Sequence, residues 1–464
     1  MTERKRATTL QEVSGVLTAG PLDANDAWRV DLALARGKSQ LGRMKTELLS
    51  ARRQQAEPLH LAFVGHMGSG KTTELKQLAD DLRSEFTPLL IQLDPGLEKE
   101  AAYPDVLLWL VTRILEHFAP RDQQAGPSSE PAVVLEQKFV EEITDWFAER
   151  TLEKIEQTKA EIITEAKGEV GLKAGWFGNS IKLMTRIGSS FLANSESRTT
   201  QRKKFDNYTT DLFERVNKFL DHVQEQLRAA GRPDQLLLIQ DNLDRLNPEP
   251  ARRLFCENGQ LLRSLRAYFI WTAPAGLKLA PHRIDFTTRY MPTPSPLLRD
   301  GGPNKPAMAG LQQLLAARVD LDAVFKSSEA VQQLCVYSGG SLRDLIRLLG
   351  DARLEALEAE HTQITMADVQ AAAKGFRLEL ERYLMPGEYY YPMLARIHQT
   401  KQDPIAPENE AGKVRFLELM SNGYILQYNG EENWLDVQPA LLDSRRFKEA
   451  LAKLQDALAK PPAP

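Results

Sequence analysis

Gly65-His-Met-Gly-Ser-Gly-Lys-Thr72 is the stretch that decides how this chain folds. Gly65, Gly70, Lys71 and Thr72 satisfy the spacing G-x-x-x-x-G-K-[ST], the pattern of a loop that wraps phosphate groups. The run before it, Leu59-His-Leu-Ala-Phe-Val64, is short and apolar, as in a buried strand. Thr72 to Phe86 reads as a helix. Strand, glycine-rich turn and helix are the setting that the pattern requires. Glycines let the backbone fold tightly, so that amide hydrogens point inward at phosphate oxygens. The helix start adds the positive end of its dipole. Lys71 offers a compact charge to the β- and γ-phosphates of a nucleoside triphosphate, and Thr72 offers a hydroxyl to magnesium. The residues expected to hold the nucleotide are therefore Gly65, His66, Met67, Gly68, Ser69, Gly70, Lys71, Thr72 and Thr73, with ATP and Mg2+ as cofactors.

Further strands follow on either side of long helices. Pro88-Leu-Leu-Ile-Gln-Leu-Asp94, Gln235-Leu-Leu-Leu-Ile-Gln-Asp241 and Tyr268-Phe-Ile-Trp-Thr272 are short apolar runs with the look of buried strands. Trp28 to Leu34 alternates enough for a strand or a buried extension. Residues 38–56 and 102–118 have helical spacing. This alternation predicts an α/β fold, with a three-layer core around a mostly parallel sheet. The domain order expected is a loose leader (1–27), core, first part (28–130), a helical insertion (131–230), core, second part (231–308), a helical lid (309–386) and a C-terminal module (387–464). In that module two short helices precede apolar runs around Asn429-Gly430, which signals a hairpin and so a winged-helix-like unit. Within the insertion, residues 168–196 mix glycines with Trp176, Phe177, Met184 and Phe191. The preferred reading is a packed subdomain with those aromatics as core; the alternative is a mobile tip that inserts into a partner or a membrane surface.

Asp241 closes the third buried run, where a carboxylate would help to hold magnesium. Asn242 follows it. An amide positions water but cannot take its proton. Asp244, three residues past Asp241, either supplies that carboxylate or pairs with Arg245. Thr272 ends the fourth run and is either a sensor of the γ-phosphate or an ordinary strand-end threonine. Gly339-Gly-Ser-Leu-Arg-Asp-Leu345 presents Arg343 from the lid, and a guanidinium suits an oxyanion because its fork stays charged.

Composition narrows the class. The chain has 464 residues, 42% hydrophobic and 26% charged, with a formal net charge of −4. That balance gives no global attraction to nucleic acid or anionic lipid. Tyr389 to Pro464 carries nine Lys plus Arg and ten Asp plus Glu, so DNA binding by the C-terminal module is possible but not favoured. Cys256 and Cys335 are too few for a disulfide framework and read as reduced interior thiols. The basic start, Met1 to Thr9, has no apolar run after it, and no stretch reaches ~18 uninterrupted apolar residues. A cytoplasmic protein without a transmembrane segment is expected.

Taken together, the phosphate loop, Asp241-Asn-Leu-Asp-Arg245, the polar strand end at Thr272 and Gly339 to Leu345 resemble the AAA+ and STAND ATPases, including their origin-recognition-like branch. More narrowly, Gly65 to Leu75 is similar to the Gly-His-x-Gly-Ser-Gly-Lys-[Ser/Thr]-Thr-Glu-Leu loop of bacterial conflict-system ATPases. Val30-Asp-Leu, Arg36-Gly37 and Tyr428 to Trp434 extend that likeness, which covers about residues 28–442. The chain departs from it at Asn242, where most relatives carry aspartate; that bears on catalytic strength, not on nucleotide binding. The resemblance implies ATP hydrolysis, a homo-oligomer and control of a protein effector encoded elsewhere, as in antiviral defence. It also implies that Arg36 and Gly37 contact the adenine side. Two alternatives stand beside it: a switch that holds ATP with little hydrolysis, and an origin-recognition-like ATPase that binds DNA.

Overall fold

The computed structural model describes residues 4–37, 40–119, 131–166, 175–193, 195–279, 284–384, 389–405, 409–428 and 434–459. Five strands form the central sheet: β1 (His60–Gly65), β2 (Thr87–Gln92), β3 (Leu236–Asp241), β4 (Tyr268–Pro274) and β5 (Thr287–Tyr290). Their order is β2-β3-β4-β1-β5, and every pairing is parallel. The sheet is therefore α/β and mostly parallel, as the alternation of runs predicts. β4 lies between the strand that carries the phosphate loop and the strand that ends in Asp241. β5 is an addition to the sequence reading. Its residues Thr287-Thr-Arg-Tyr290 are mostly polar and only partly buried, so they carry no apolar signal.

Alternation along each strand makes the layers. Leu61 and Phe63, Leu237 and Ile239, and Tyr268 and Ile270 pack with Met44, Leu48, Leu75 and Leu78 of the helices Gln40–Arg53 and Lys71–Asp81. The alternate residues, Ala62 and Val64, Leu236 and Leu238, and Phe269 and Trp271, face the opposite layer with the helix Tyr103–His117. That helix is buried on nearly all sides, because the insertion covers its outer face. Both faces of the sheet are thus removed from water, the usual condition of a parallel sheet.

The insertion is helical: Gln137–Thr151, Ile155–Ala166, Trp176–Ala193, Ser195–Asp206 and Thr209–Ala229. Phe177, Leu183, Met184, Ile187 and Phe191 are buried in the core that the sheet shares. From Trp176 onward the glycine- and aromatic-rich stretch is therefore a packed helix; Gly168 and Gly171 lie outside the described residues. Gly188 brings this helix against the ring of Trp109.

Two expectations are resolved at the start of the chain. The leader is not loose over its described part. Leu10, Val13 and Val16 are buried with the lid residues Leu345, Leu348 and Leu349, and Ala7 bridges to Val319. Of the two readings of Trp28 to Leu34 the strand does not form, while Trp28 and Leu32 are buried. Asp31 Oδ1 accepts the backbone N–H of Ala33 and turns the chain into the short helix Ala33–Arg36.

The lid consists of the helices Lys305–Ala316, Ser328–Tyr337, Leu342–Glu358 and Met366–Tyr383. After it come Tyr390–Thr400, Glu410–Ser421, the antiparallel pair β6 (Ile425–Tyr428) and β7 (Trp434–Val437), and the helix Arg445–Ala459. This is the helix, helix, hairpin order anticipated for a winged-helix-like unit. The Asn429-Gly430 turn and the Pro386-Gly387 boundary lie outside the described residues. No helix among the described residues is long and apolar enough to cross a membrane.

Candidate functional site

β1 delivers the glycine-rich turn at its carboxyl end, and the helix Lys71–Asp81 begins as the turn closes. Gly68 has φ of +77°, a left-handed conformation that glycine adopts without Cβ strain. Its carbonyl accepts the N–H groups of Leu342 and Arg343, at 3.0 and 3.3 Å. A Cβ at residue 68 would stand 2.8 Å from Ser341 Oγ and 3.0 Å from Arg343 Cβ. The first turn of the lid helix therefore rests directly on the loop.

Lys71 is buried, and its ammonium is surrounded. Nζ donates to the carbonyls of Gly65 (2.8 Å) and His66 (2.6 Å) and pairs with Asp244 Oδ2 at 2.7 Å. Of the two sequence readings of Asp244, the structure thus adds a third: it is the partner of the loop lysine. Arg245 pairs with Glu98 instead.

Thr72 Oγ1, in the helix that follows β1, donates to Asp241 Oδ2 at the end of β3 at 2.7 Å, although β4 lies between β1 and β3. Gln92 Nε2 donates to the same oxygen at 3.2 Å. A hydroxyl and a carboxylate oxygen are the hard donors that magnesium takes. No group of three or more His, Cys, Asp and Glu among the described residues could cage a metal. An ion held by Thr72 and Asp241 would complete its shell with phosphate oxygens and water, where it would neutralise charge on the transferring phosphoryl group.

The other sequence-predicted residues fall as follows. Thr272 is fully buried, and its hydroxyl is engaged with backbone: it accepts from Leu243 N–H at 3.1 Å and donates to the Gln240 carbonyl at 3.2 Å. It thereby fixes the turn that carries Asp241 and Asn242. Thr73 Oγ1 accepts the Leu22 N–H at 3.1 Å, tying the leader to the loop helix. Ser69 Oγ donates to the His66 carbonyl. Arg36 reaches beneath the loop: Nη2 donates to the Ser69 carbonyl at 2.7 Å and Nη1 pairs with Glu74 at 2.5 Å. Gly37 ends the short helix that presents Arg36.

His66 faces away from the cavity. Its Nε2 accepts the backbone N–H of Gln427 at 2.8 Å. That bond requires a lone pair on Nε2, hence a ring with its proton on Nδ1. Burial, aided by the Lys71 charge, pushes the ring down to about 3. The carbonyl of Gln427 accepts Tyr290 OH at 2.9 Å, and Tyr428 OH donates to the Gly339 carbonyl at 3.0 Å. β6 thus touches the loop, the end of β5 and the lid glycines together.

A cavity of about 300 Å³ opens beside the loop. Gly68, Gly70, Lys71, Thr72 and Asp244 line it, together with the apolar side chains of Trp28, Val30, Leu314 and Ile346. Arg36 is in its wall and Gly37 is not. Arg318 lines it as well, its head bonded to the carbonyls of Trp28 and Leu314. Burial drops Arg318 to about 10. A second, larger groove of about 1870 Å³ is lined by Met67, Glu98 and Asp344, and shares Arg245 and Arg343 with the first. Glu98 and Arg318 are missing from the sequence reading: one lies in an irregular loop and the other at a helix end, with no motif around either.

No protein-family model and no curated protein matches the sequence. Among solved structures, the chain is similar to a Walker-type ATPase of Pyrococcus abyssi, at 12% identity and a TM-score of 0.38, with 92% of this chain and 98% of that one covered. It is also similar to the Aeropyrum pernix ORC2 protein, solved as ADPNP and ADP complexes, at 11% identity and a TM-score of 0.39, covering 93% and 99%. A third likeness is to the Holliday junction branch migration motor RuvB of Thermotoga maritima, at 11% identity and a TM-score of 0.33, covering 92% and 98%.

Proposed function

We propose that this chain is a magnesium-dependent P-loop ATPase of the AAA+/STAND type, in which bound nucleotide sets the posture of the lid and C-terminal hairpin. One observation carries the reading: residues 169 positions apart, Thr72 and Asp241, meet at 2.7 Å beside the buried ammonium of Lys71. The roles follow from that geometry. Backbone amides of residues 65–73 and Lys71 hold the phosphates, Thr72 and Asp241 hold magnesium, and Arg343 reads the γ-phosphate from the lid. Trp28, Val30 and Arg36 border the nucleoside. Residues 28–130 and 231–308 form the core, 131–230 the insertion, 309–386 the lid and 387–464 the C-terminal module.

The output in this reading is assembly into a homo-oligomer and control of a partner effector, with bacterial antiviral defence as the setting that the motif resemblance supports. The near-equal basic and acidic content of the C-terminal module favours a protein partner over duplex DNA.

Two measurements test it. Fluorescent ATP should bind in the presence of magnesium, and Lys71→Ala should weaken that binding at least about a hundredfold and abolish phosphate release. Light scattering with and without Mg-ATP should show a nucleotide-dependent mass. A parent chain that binds no nucleotide, or a Lys71→Ala chain that binds it equally well, removes the reading.

A further inference from the structure

The residue after Asp241 is Asn242, whose amide cannot accept a proton. Its backbone has φ of +68°. Asparagine and aspartate tolerate that left-handed conformation better than longer side chains such as glutamate. A carboxylate for water activation therefore has to come from elsewhere, and the structure brings one to the same spot. Asn242 Nδ2 donates to Glu98 Oε1 at 2.9 Å, and Arg245 Nη1 donates to Glu98 Oε2 at 2.6 Å.

Glu98 lies in the loop after β2, and β2 is in register with β3 through Gln92 and Asp241. That pairing puts the loop at the same end of the sheet as the phosphate loop. The Glu98 side chain lines the larger groove, and its partner Arg245 also lines the loop cavity, as does Arg343. Glu98 lines the larger groove only, and it reaches the loop cavity through Asn242 and Arg245, which line that cavity and hydrogen-bond its two oxygens. The competing carboxylates are already engaged with the phosphate and cation machinery: Asp241 with Thr72 and Gln92, Asp244 with Lys71.

We propose that Glu98 is the general base of this chain, with Asn242 and Arg245 as its positioning residues. The proposal rests on the ATPase reading. In the step, the oxygen of water bonds to the γ-phosphorus, and the bond from that phosphorus to the β,γ-bridging oxygen breaks. ADP leaves with that electron pair. The proton of the attacking water passes to a Glu98 carboxylate oxygen and then to solvent. Nothing is oxidised or reduced. Asn242 holds one oxygen of the carboxylate and Arg245 the other, which fixes its plane.

The test compares affinity with turnover. Glu98→Gln should bind Mg-ATP within about threefold of the parent, lose at least about a hundredfold in phosphate release, and retain intact ATP after isolation. Adding Asn242→Asp to Glu98→Gln returns a carboxylate to the site, at a backbone angle aspartate tolerates. It should recover turnover at least about tenfold over Glu98→Gln alone, a rescue that a merely structural role for Glu98 would not give. If Glu98→Gln does not fold, Glu98→Asp keeps the charge and withdraws it by one methylene. That variant should lose about tenfold in turnover at unchanged affinity. Turnover in Glu98→Gln within threefold of the parent overturns the proposal. So does a parent that binds Mg-ATP and leaves it intact; both results spare nucleotide binding. A parent that does not bind Mg-ATP removes the ATPase reading, and this proposal with it.

Discussion

His66 of the phosphate loop accepts a 2.8 Å hydrogen bond from the backbone N–H of Gln427 in the C-terminal hairpin. Both residues are buried. The contact joins parts of the chain 361 residues apart. The bond is available only to a neutral ring, so it makes the loop's seating depend on protonation.

The sign is fixed by the direction of the shift. The ring lies at about 3 in the folded chain, against 6.5 for an ordinary histidine. Between those values the unfolded chain binds a proton that the folded chain excludes, so stability rises with pH across that window. The His66 share is complete above about pH 6.5 and is lost as the pH falls toward 3. His66→Leu leaves the Gln427 N–H without its partner and should cost about 1–3 kcal/mol near neutrality. Denaturant unfolding at about pH 7.5 and about pH 5 should show the gap between parent and variant narrowing at the lower value. A gap that stays constant would count against this account.

Gly68→Ala tests the seat of the lid. The new methyl group meets Ser341 and Arg343 at 3.0 Å or less, on a backbone with φ of +77°. L-residues pay about 1–2 kcal/mol for that conformation before any clash. Loop and lid should separate, and Mg-ATP affinity should fall about tenfold or more, as a calorimetric titration would read it. Equal affinity in the two chains would show that the close approach has no bearing on the nucleotide.

Asp244→Asn alters the charge that meets Lys71. The present pair is nearly dry, with side-chain exposures of 4% and 10%. Removing one partner of a buried pair leaves the other less well compensated, and the Gly65 and His66 carbonyls soften that loss. The ligand-free variant should melt lower than the parent by a few degrees, on the order of 1–2 kcal/mol. A triphosphate then meets an ammonium with no competing carboxylate, so Mg-ATP should raise the melting point by more in the variant than in the parent. A smaller rise would mean that Asp244 assists the nucleotide.

Gly188→Ala probes the insertion. A Cβ there would lie 2.8 Å from Trp109 Cη2 and 3.2 Å from Cζ3. Overpacking of this kind costs about 1–3 kcal/mol. The loss should appear in thermal unfolding, with nucleotide affinity unchanged once the chain is folded.

Much of this architecture is legible in the chain. β1, β3 and β4 are runs of buried apolar residues, and Gly65 to Thr72 carries its own spacing rule. Legibility ends where polarity or distance takes over. Thr287 to Tyr290 pairs with β1 at the sheet edge and needs little apolar content, so pattern alone does not mark it. Trp28 to Leu34 has a strand-like alternation, but Asp31 bends it into a helical turn. Glu98 becomes notable only because Asn242 and Arg245 close on it from 144 and 147 residues away. The sequence leaves Thr272 open as a γ-phosphate sensor or an ordinary strand-end threonine, and its hydroxyl bonds backbone groups of the neighbouring turn, which no local pattern reveals.

The strand order has a consequence for how the chain is made. β1 is bordered by β4 and β5, and His60 is paired with Phe269. At ~5–20 residues per second, a ribosome would need roughly 10–40 s after making β1 to supply its first neighbour. Leu61 and Phe63 must wait through that interval beside unpaired backbone, while the insertion, whose core is shared with the sheet, emerges. The part of the molecule synthesised early is thus sheltered late, and nascent chains halted before residue 268 should be clients of chaperones rather than early-formed nucleotide binders.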